Sequence, residues 1–290
     1  MKGWLVVNAF LESEKFKGIY SLLTDSAKLH NIELECYTTA DLCGEITEGF
    51  EGYNLPDFVI YWDKDICLAQ RLESSGVRLF NCAKAVEVCD NKALTCLELM
   101  KAGVRIPKTI IAPKTFEGVG YTNLDFLDKA IEKLGLPLVI KESYGSFGMQ
   151  VYLAESRNSA VEIINSLGHK DFIMQEFVQT SCGRDLRVNV VGGKVVATIY
   201  RYNDDDFRSN LTIGGKMKPY EISSEQAQLA IEACKALHLD FAGVDVMFAE
   251  GDEPVICEVN SNTHFKTTLD CTGINLADSI MEYIAGEIRK

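Results

Sequence analysis

The chain has no C-x-x-C pair, no Gly-rich loop ending in G-K-[ST], no dinucleotide fingerprint and no G-x-S-x-G elbow. Without paired cysteines, and with none of its four histidines placed to complete a finger pattern, a zinc finger is excluded. The missing G-K-[ST] excludes a P-loop, and no stretch supports a Rossmann dinucleotide site. An excess of basic charge is also absent. The formal net charge is −13 and the isoelectric point about 4.9, which argues against nucleic-acid or anionic-membrane surfaces. No apolar run approaches the ~18 residues that span a bilayer. Met1-Lys2-Gly3-Trp4 reads as the start of a strand rather than a signal peptide. The ten cysteines are therefore expected to be reduced core residues of a cytoplasmic protein. What remains is an ordinary globular composition, 47% hydrophobic and 24% charged over 290 residues, long enough for two or three small domains.

The most informative stretch is Phe241 to Asn260, FAGVDVMFAEGDEPVICEVN. Val244, Val246 and Phe248 alternate in one arm, and Val255, Cys257 and Val259 in the other, which is the period of a β-hairpin. A two-residue turn at Gly251-Asp252 puts Asp245 opposite Glu258, with Asn260 further along the same face. Like charges roughly 4.5–5.5 Å apart across a ladder are destabilising unless a cation lies between them. Oxygen ligands suit a hard ion, Mg²⁺ arriving with nucleotide phosphates. The alternative is a solvated polar face.

Along the rest of the chain, strands at Gly3–Phe10, Ile32–Tyr37, Phe58–Trp62 and Val77–Phe80 alternate with helices, predicting a small parallel α/β domain over residues 1–90. Asn81 to Met100 reads as largely helical. Glu142 to Gly148 (ESYGSFG) joins two strands, Pro137–Lys141 and Met149–Leu153. Such a loop can cover a triphosphate with backbone N–H groups and the Ser146 hydroxyl, or be a plain turn. Asp185–Val191 and Lys194–Tyr202 form a hairpin around Gly192-Gly193. The polar stretch Asn203 to Lys216 is a long irregular loop of the kind that carries function. A loop from Ser261 to Cys271 precedes the last helix, Asn275 to Ile288.

The order of these features resembles the ATP-grasp ligases, and within them the RimK-like branch that joins an amino acid to a carboxylate. The resemblance rests on Asp90-Asn91-Lys92, Val139-Ile140-Lys141, Gln175-Glu176-Phe177-Val178, Asp185-Leu186-Arg187, Asp206-Phe207-Arg208-Ser209-Asn210, Ala242-Gly243-Val244-Asp245 and Glu258-Val259-Asn260. It implies an α/β (in part α+β) ATP-grasp fold: a parallel pre-ATP-grasp domain (1–90) and two α+β subdomains (91–175 and 176–290) holding nucleotide between them. Lys92 and Lys141 would contact ATP phosphates; taken alone, each reads as a solvated lysine. Glu176, Phe177 and Val178 would read adenine on the strand linking the subdomains, and Asp185 would face the ribose. Arg187, Arg208 and Asn210 would reach the γ-phosphate and the reacting carboxyl; the alternative for the arginines is salt bridging to the abundant acids. Asp245, Glu258 and Asn260 would hold two Mg²⁺ ions, with Mn²⁺ as a substitute.

The implied reaction is ATP-dependent amide formation through an acylphosphate. It needs alignment and charge neutralisation rather than a protein nucleophile. The acceptor is expected to be a peptide, a protein tail or a small acid, and the amine a glutamate-like amino acid. A small-molecule dipeptide or glutathione-type synthetase, or a non-catalytic ATP-binding regulator, stays open. After Asn260 the sequence departs from the ribosomal-protein glutamate ligases, and Phe265-Lys266 is more similar to ligases acting on an amino-group carrier protein. Asn262, His264 and Lys266 are the candidates to touch substrate, with His264 equally readable as a surface histidine. Relatives imply a homo-oligomer.

Overall fold

The computed structural model describes residues 1–50 and 52–289, in which three sheets are present. The first is parallel, ordered β2-β1-β3-β4, from β1 (Lys2–Val7), β2 (Glu33–Thr38), β3 (Phe58–Trp62) and β4 (Arg78–Phe80). Central strands of such a sheet are covered on both faces, and β3 is accordingly buried at every position. Its crossovers are α1 (Glu14–Leu29) and α2 (Ile66–Ser74). In α1 the stripe Ile19, Leu23 and Ala27 faces the core, as its spacing predicts.

The segment read as one helix from Asn81 is two, α3 (Ala83–Asp90) and α4 (Lys92–Lys101). Asn91 makes the break, because its side chain accepts from the N–H groups of Ala93 (3.0 Å) and Leu94 (3.1 Å) and caps α4. Lys92 thereby occupies the first helical position. The second sheet is antiparallel, ordered β5-β8-β6-β7, from β5 (Thr109–Ile111), β6 (Leu138–Glu142), β7 (Val151–Ala154) and β8 (Phe172–Glu176). Helices α5 (Asp125–Leu134) and α6 (Arg157–Leu167) share its core. The Gly loop joins β6 to β7, as expected.

The third sheet, also antiparallel, runs β11-β10-β9-β12-β13, from β9 (Arg184–Val191), β10 (Lys194–Tyr202), β11 (Lys216–Pro219), β12 (Phe241–Phe248) and β13 (Pro254–Asn260). One face packs on α7 (Ser224–Ala236), α3 and α4. The stretch after β13, read as a loop through Cys271, contains α8 (Lys266–Thr272) before α9 (Leu276–Ile288). Its threonines lower helix propensity and hide it from pattern reading.

The β12–β13 register departs from the expected ladder twice. The turn is three residues long, with Gly251 and Asp252 both at positive φ (69° and 61°), and Ala249 N–H donates to the Glu253 carbonyl. Val246 therefore faces Ile256, and a bulge at Cys257 then restores Asp245 opposite Glu258. The bulge also changes which side chains enter the core. Ile256 and Val259 join the apolar cluster, while Cys257 turns toward Lys141. All ten thiols are free; Cys234 lies in the core and Cys82 and Cys89 pack against it, as expected, while Cys36, Cys43, Cys67 and Cys182 are exposed. Cys36, for example, lies on the edge strand β2, much of which faces solvent.

Helix α9 fuses the first and third sheets. Its buried face, Leu276, Ile280 and Ile284, packs in one cluster with Leu5 and Phe58 from the first and Val191 and Phe241 from the third. Asn81, wholly buried, fastens the same junction: its Nδ2 donates to the carbonyls of Phe241 (2.9 Å) and Ser261 (3.0 Å), and its Oδ1 accepts from Asp240 N–H (2.7 Å). Phe241 stacks on Trp62 across it at 5.5 Å. Phe241→Ala should cost about 3–5 kcal/mol, read as a lower urea midpoint with an altered Trp fluorescence transition.

Candidate active site

On the face of the third sheet turned away from α7, the period of two presents Asp185 and Arg187 on β9, Arg201 on β10 and Asp245 on β12. Arg187 lies directly opposite Asp245, and its Nε and Nη2 donate to the two carboxylate oxygens at 2.5 and 3.0 Å. Arg201 lies opposite Asp185, donates to it at 2.7 and 2.5 Å, and places Nη2 3.0 Å from Asp245 Oδ1. Only 3% of Asp245 and 6% of Arg201 are exposed. Burial pushes the Asp245 carboxyl up, but Arg187 and Arg201 outweigh it and hold it below the usual carboxylate range. Burial likewise opposes the charge on Arg201, and Asp185 and Asp245 raise its pKa above the ordinary guanidinium value. No motif signals Arg201. An unbroken ladder from the Gly192-Gly193 turn would set it opposite Arg184, and the bulge at Val196 moves it to Asp185.

Beside this network lies a slot of about 100 Å³ between the second and third sheets. Lys141, at the end of β6 and 8% exposed, reaches into it with Nζ 3.6 Å from Cys257 Sγ. Lys92 Nζ donates to the Gly145 carbonyl (3.1 Å) and lies 3.6 Å from Glu258. Glu176, Phe177 and Val178 line the same slot, and Glu176 Oε1 accepts from Lys108 N–H at 2.8 Å. Arg208 pairs with Asp206 (2.9 and 2.8 Å) and donates to the Gly148 carbonyl at 2.7 Å, tying the long polar loop to the Gly loop. Gly148 is required there. Its φ is +74°, and a Cβ would come within 2.6 Å of Asn210 Oδ1.

The slot opens toward a larger cleft of about 800 Å³ bounded by α1, the Gly loop and residues 258–270. Ser146, Arg187, Asn260, Asn262, His264 and Lys266 line it, and Arg201, Asn210 and Glu258 line both spaces. Every candidate residue thus borders the slot or the cleft. Lys266 pairs with Asp270 one turn along α8, at 3.0 Å. His264 is not a surface histidine. Its Nε2 lies 3.1 Å from the Lys15 carbonyl, and burial, with Lys15 and Arg187 nearby, pushes its pKa down to about 4. Neutral at pH 7, the ring donates from Nε2 to that carbonyl and leaves Nδ1 as an acceptor. Lys15 and Tyr20 of α1, and Asp63 and Lys64 just after β3, also line the cleft. No motif marks them, because only the docking of α1 and β3 against the 261–265 segment brings them there.

The RimK-like ATP-grasp domain family matches residues 89–284. The chain belongs to that family. An uncharacterized protein of Mycoplasma pneumoniae, the MG012 homolog, is 33% identical over 271 residues, covering 91% of this chain and 92% of that one. Human β-citrylglutamate synthase B is 32% identical over 225 residues, covering 77% of this chain but only 57% of the synthase. Among solved structures, the D-alanine–D-alanine ligase of Bacillus anthracis complexed with ATP superposes with a TM-score of 0.73 at 18% identity, covering 99% of this chain and 97% of that one. The fold is therefore ATP-grasp, and the chain belongs to a family of ATP-grasp carboxylate–amine ligases; ATP is bound in the B. anthracis neighbour, and Mg with ADP in the neighbouring ligase PsnB.

The side-chain oxygens of Asp245, Glu258 and Asn260 are of the kind that suits an ion travelling with phosphate. Among the described residues, no group of three or more His, Cys, Asp or Glu side chains is placed to hold a metal. Two carboxylates and an amide remain, and both oxygens of Asp245 already meet guanidinium groups. Such a set fits Mg²⁺ only with nucleotide oxygens completing its shell.

Two outcomes follow from this electrostatic arrangement. Arg201→Met should destabilise the fold by about 3–5 kcal/mol in urea titration, since it leaves buried carboxylates short of a counter-charge. The His264 ring should titrate with a midpoint near 4 by NMR. Because its pKa is depressed from 6.5, its share of stability is complete above pH 6.5 and is lost as pH falls through about 4.

Proposed function

We propose that the chain joins the amino group of an amino acid to the carboxyl group of a small acid, using ATP to activate that carboxyl. The observation that carries this reading is the shared wall: Arg201, Asn210 and Glu258 border both the narrow slot and the wide cleft. A nucleotide in the slot, with its base against Glu176, Phe177 and Val178 and its phosphates toward Lys92 and Lys141, would end its phosphate chain at that wall. The acid and the amine would occupy the cleft. Human β-citrylglutamate synthase B supports a small acid as acceptor and a glutamate-like amino acid as amine.

In this reading segments 91–175 and 176–290 close on the nucleotide, and residues 1–90 supply the far side of the cleft. Glu258, Asn260 and Asp245 would hold Mg²⁺, which would supply neutralisation of phosphate charge. Lys92, Lys141 and Arg208 position the phosphates by charge and hydrogen bonding. The γ-phosphoryl group passes to a carboxylate oxygen as its bond to the β-phosphate oxygen breaks, releasing ADP. The amine nitrogen then forms its bond to the acyl carbon, inorganic phosphate leaves with the carbon–oxygen bond electrons, and the amine proton goes to water. Arg187, at the cleft, stabilises the oxyanion of that addition.

ADP release should be stimulated only when an amino acid and a small carboxylic acid are supplied together with Mg-ATP, and product mass should equal their condensation. ADP release indifferent to every such pair would end this reading. Lys141→Ala should lower kcat/KM for ATP by roughly 10- to 100-fold, as for loss of a charged hydrogen bond. Lys266→Ala should raise KM for one cleft substrate and leave that for ATP unchanged.

A further inference from the structure

Among the described residues, every lysine or arginine lining the cleft is met by a carboxylate except Lys15. Lys64 pairs with Asp90, Lys266 with Asp270 (3.0 Å), Arg187 with Asp245 (2.5 Å) and Arg201 with Asp185 (2.5 Å). Glu14, beside Lys15 in the chain, turns to Lys17 at 3.9 Å. Lys15 lies in the first turn of α1, where it adds charge to the positive end of the helix, a place that favours acids. Half-buried there, it has its pKa lowered by desolvation, with no acid opposing the shift. Its ammonium rests instead on the face of the Phe147 ring, 3.7 Å from the centre. A ring face is a weaker partner for a cation than a carboxylate, and the flexible stem lets the ammonium leave it. Arg187 is close by. The Lys15 carbonyl accepts from His264 Nε2 (3.1 Å), and Arg187 Nη1 donates to Thr263 Oγ1 (3.4 Å), so the two basic residues meet adjacent residues of one segment. The neutral His264 ring cancels neither charge. Lys15 lines the cleft but not the slot, which directs it to a cleft substrate rather than to the nucleotide.

We propose that Lys15 is a specificity-determining residue that binds the second carboxylate of a dicarboxylic acid whose reacting carboxyl lies at Arg187. The assignment rests on the ligase reading above in placing the reacting carboxyl at Arg187. The demand for a further carboxylate stands on the unpaired ammonium itself. An acid with a single carboxyl leaves Lys15 on the Phe147 ring, whereas a dicarboxylate spans the wall from Arg187 past His264 and gives each cation an anion. The amine substrate is disfavoured at this wall, because an ammonium beside Lys15 and Arg187 would be repelled. In a chain of net charge −13, two cations at one wall also draw a dianion to this part of the surface.

The test titrates full-length protein, saturated with Mg-ADP, with succinate, glutarate and adipate by calorimetry, each against its own monoamide. At least one dicarboxylate should bind about tenfold or more tightly than its monoamide, as expected for one added charged hydrogen bond. Lys15→Gln should remove that preference by weakening the dicarboxylate and sparing the monoamide, while Lys15→Arg should keep it. Mg-ADP affinity should be the same in all three proteins. In ADP-release assays with Mg-ATP and pooled amino acids, Lys15→Gln should raise KM for the acid by a similar factor and leave KM for ATP unchanged. The proposal falls if no dicarboxylate is preferred to its monoamide, or if Lys15→Gln weakens both forms equally. It falls as well if the variant changes KM for ATP or for the amino acid instead of the acid. Failure of the ligase reading looks different: the preference and its loss in Lys15→Gln would persist, but no acid would release ADP.

Discussion

A buried carboxylate is tolerable only where its charge is met, and Asp245 is met twice. Arg187 grips it from the neighbouring strand and Arg201 reaches it from the strand beyond, while Asp185 balances the second guanidinium. Because these charges cancel among themselves, the network is a neutral floor. Lys92 and Lys141 beside it, with Glu258 facing Lys92, then leave an excess of positive charge in a chain that is otherwise strongly acidic. An anion is the ligand such a floor selects.

The network depends on two bulges. The one at Val196 slides β10 so that Arg201 meets Asp185 rather than Arg184. The other, at Cys257, returns Asp245 to the level of Glu258 after a three-residue turn has displaced it. One residue of slip in a ladder reverses which side chains face the core. Without these bulges, charge would be driven into the α7 face and apolar side chains into the slot. The irregularities are therefore what allows one sheet to be a hydrophobic core on one side and an ionic site on the other.

The first sheet contributes in a different way. Its core is continuous with that of the third sheet through α9, and Asn81 ties its last strand to the ends of β12 and β13. That attachment holds the 261–265 segment against α1 and β3. The cleft owes its far side to the junction.

Much of the fold was legible in the sequence because strand and helix periods are local. The parallel first sheet, the β9–β10 hairpin and the Gly loop between two strands follow from alternation and turn residues alone. The exceptions also have local causes. Asn91 caps a new helix inside an apparently continuous one, and the threonines of α8 conceal its first turns. Motif residues such as Lys92, Lys141, Asp245 and Glu258 could be named because each lies in a short recognisable run. Arg201, Asp63, Tyr20 and Lys15 could not, since they have no motif and their chemistry comes from partners far away in sequence. Local pattern thus determined the elements and the charged residues at their ends. Only tertiary structure decided which charges cancel and which distant residues share the cleft, because strand register and the docking of α1 and β3 are set by packing across the whole chain.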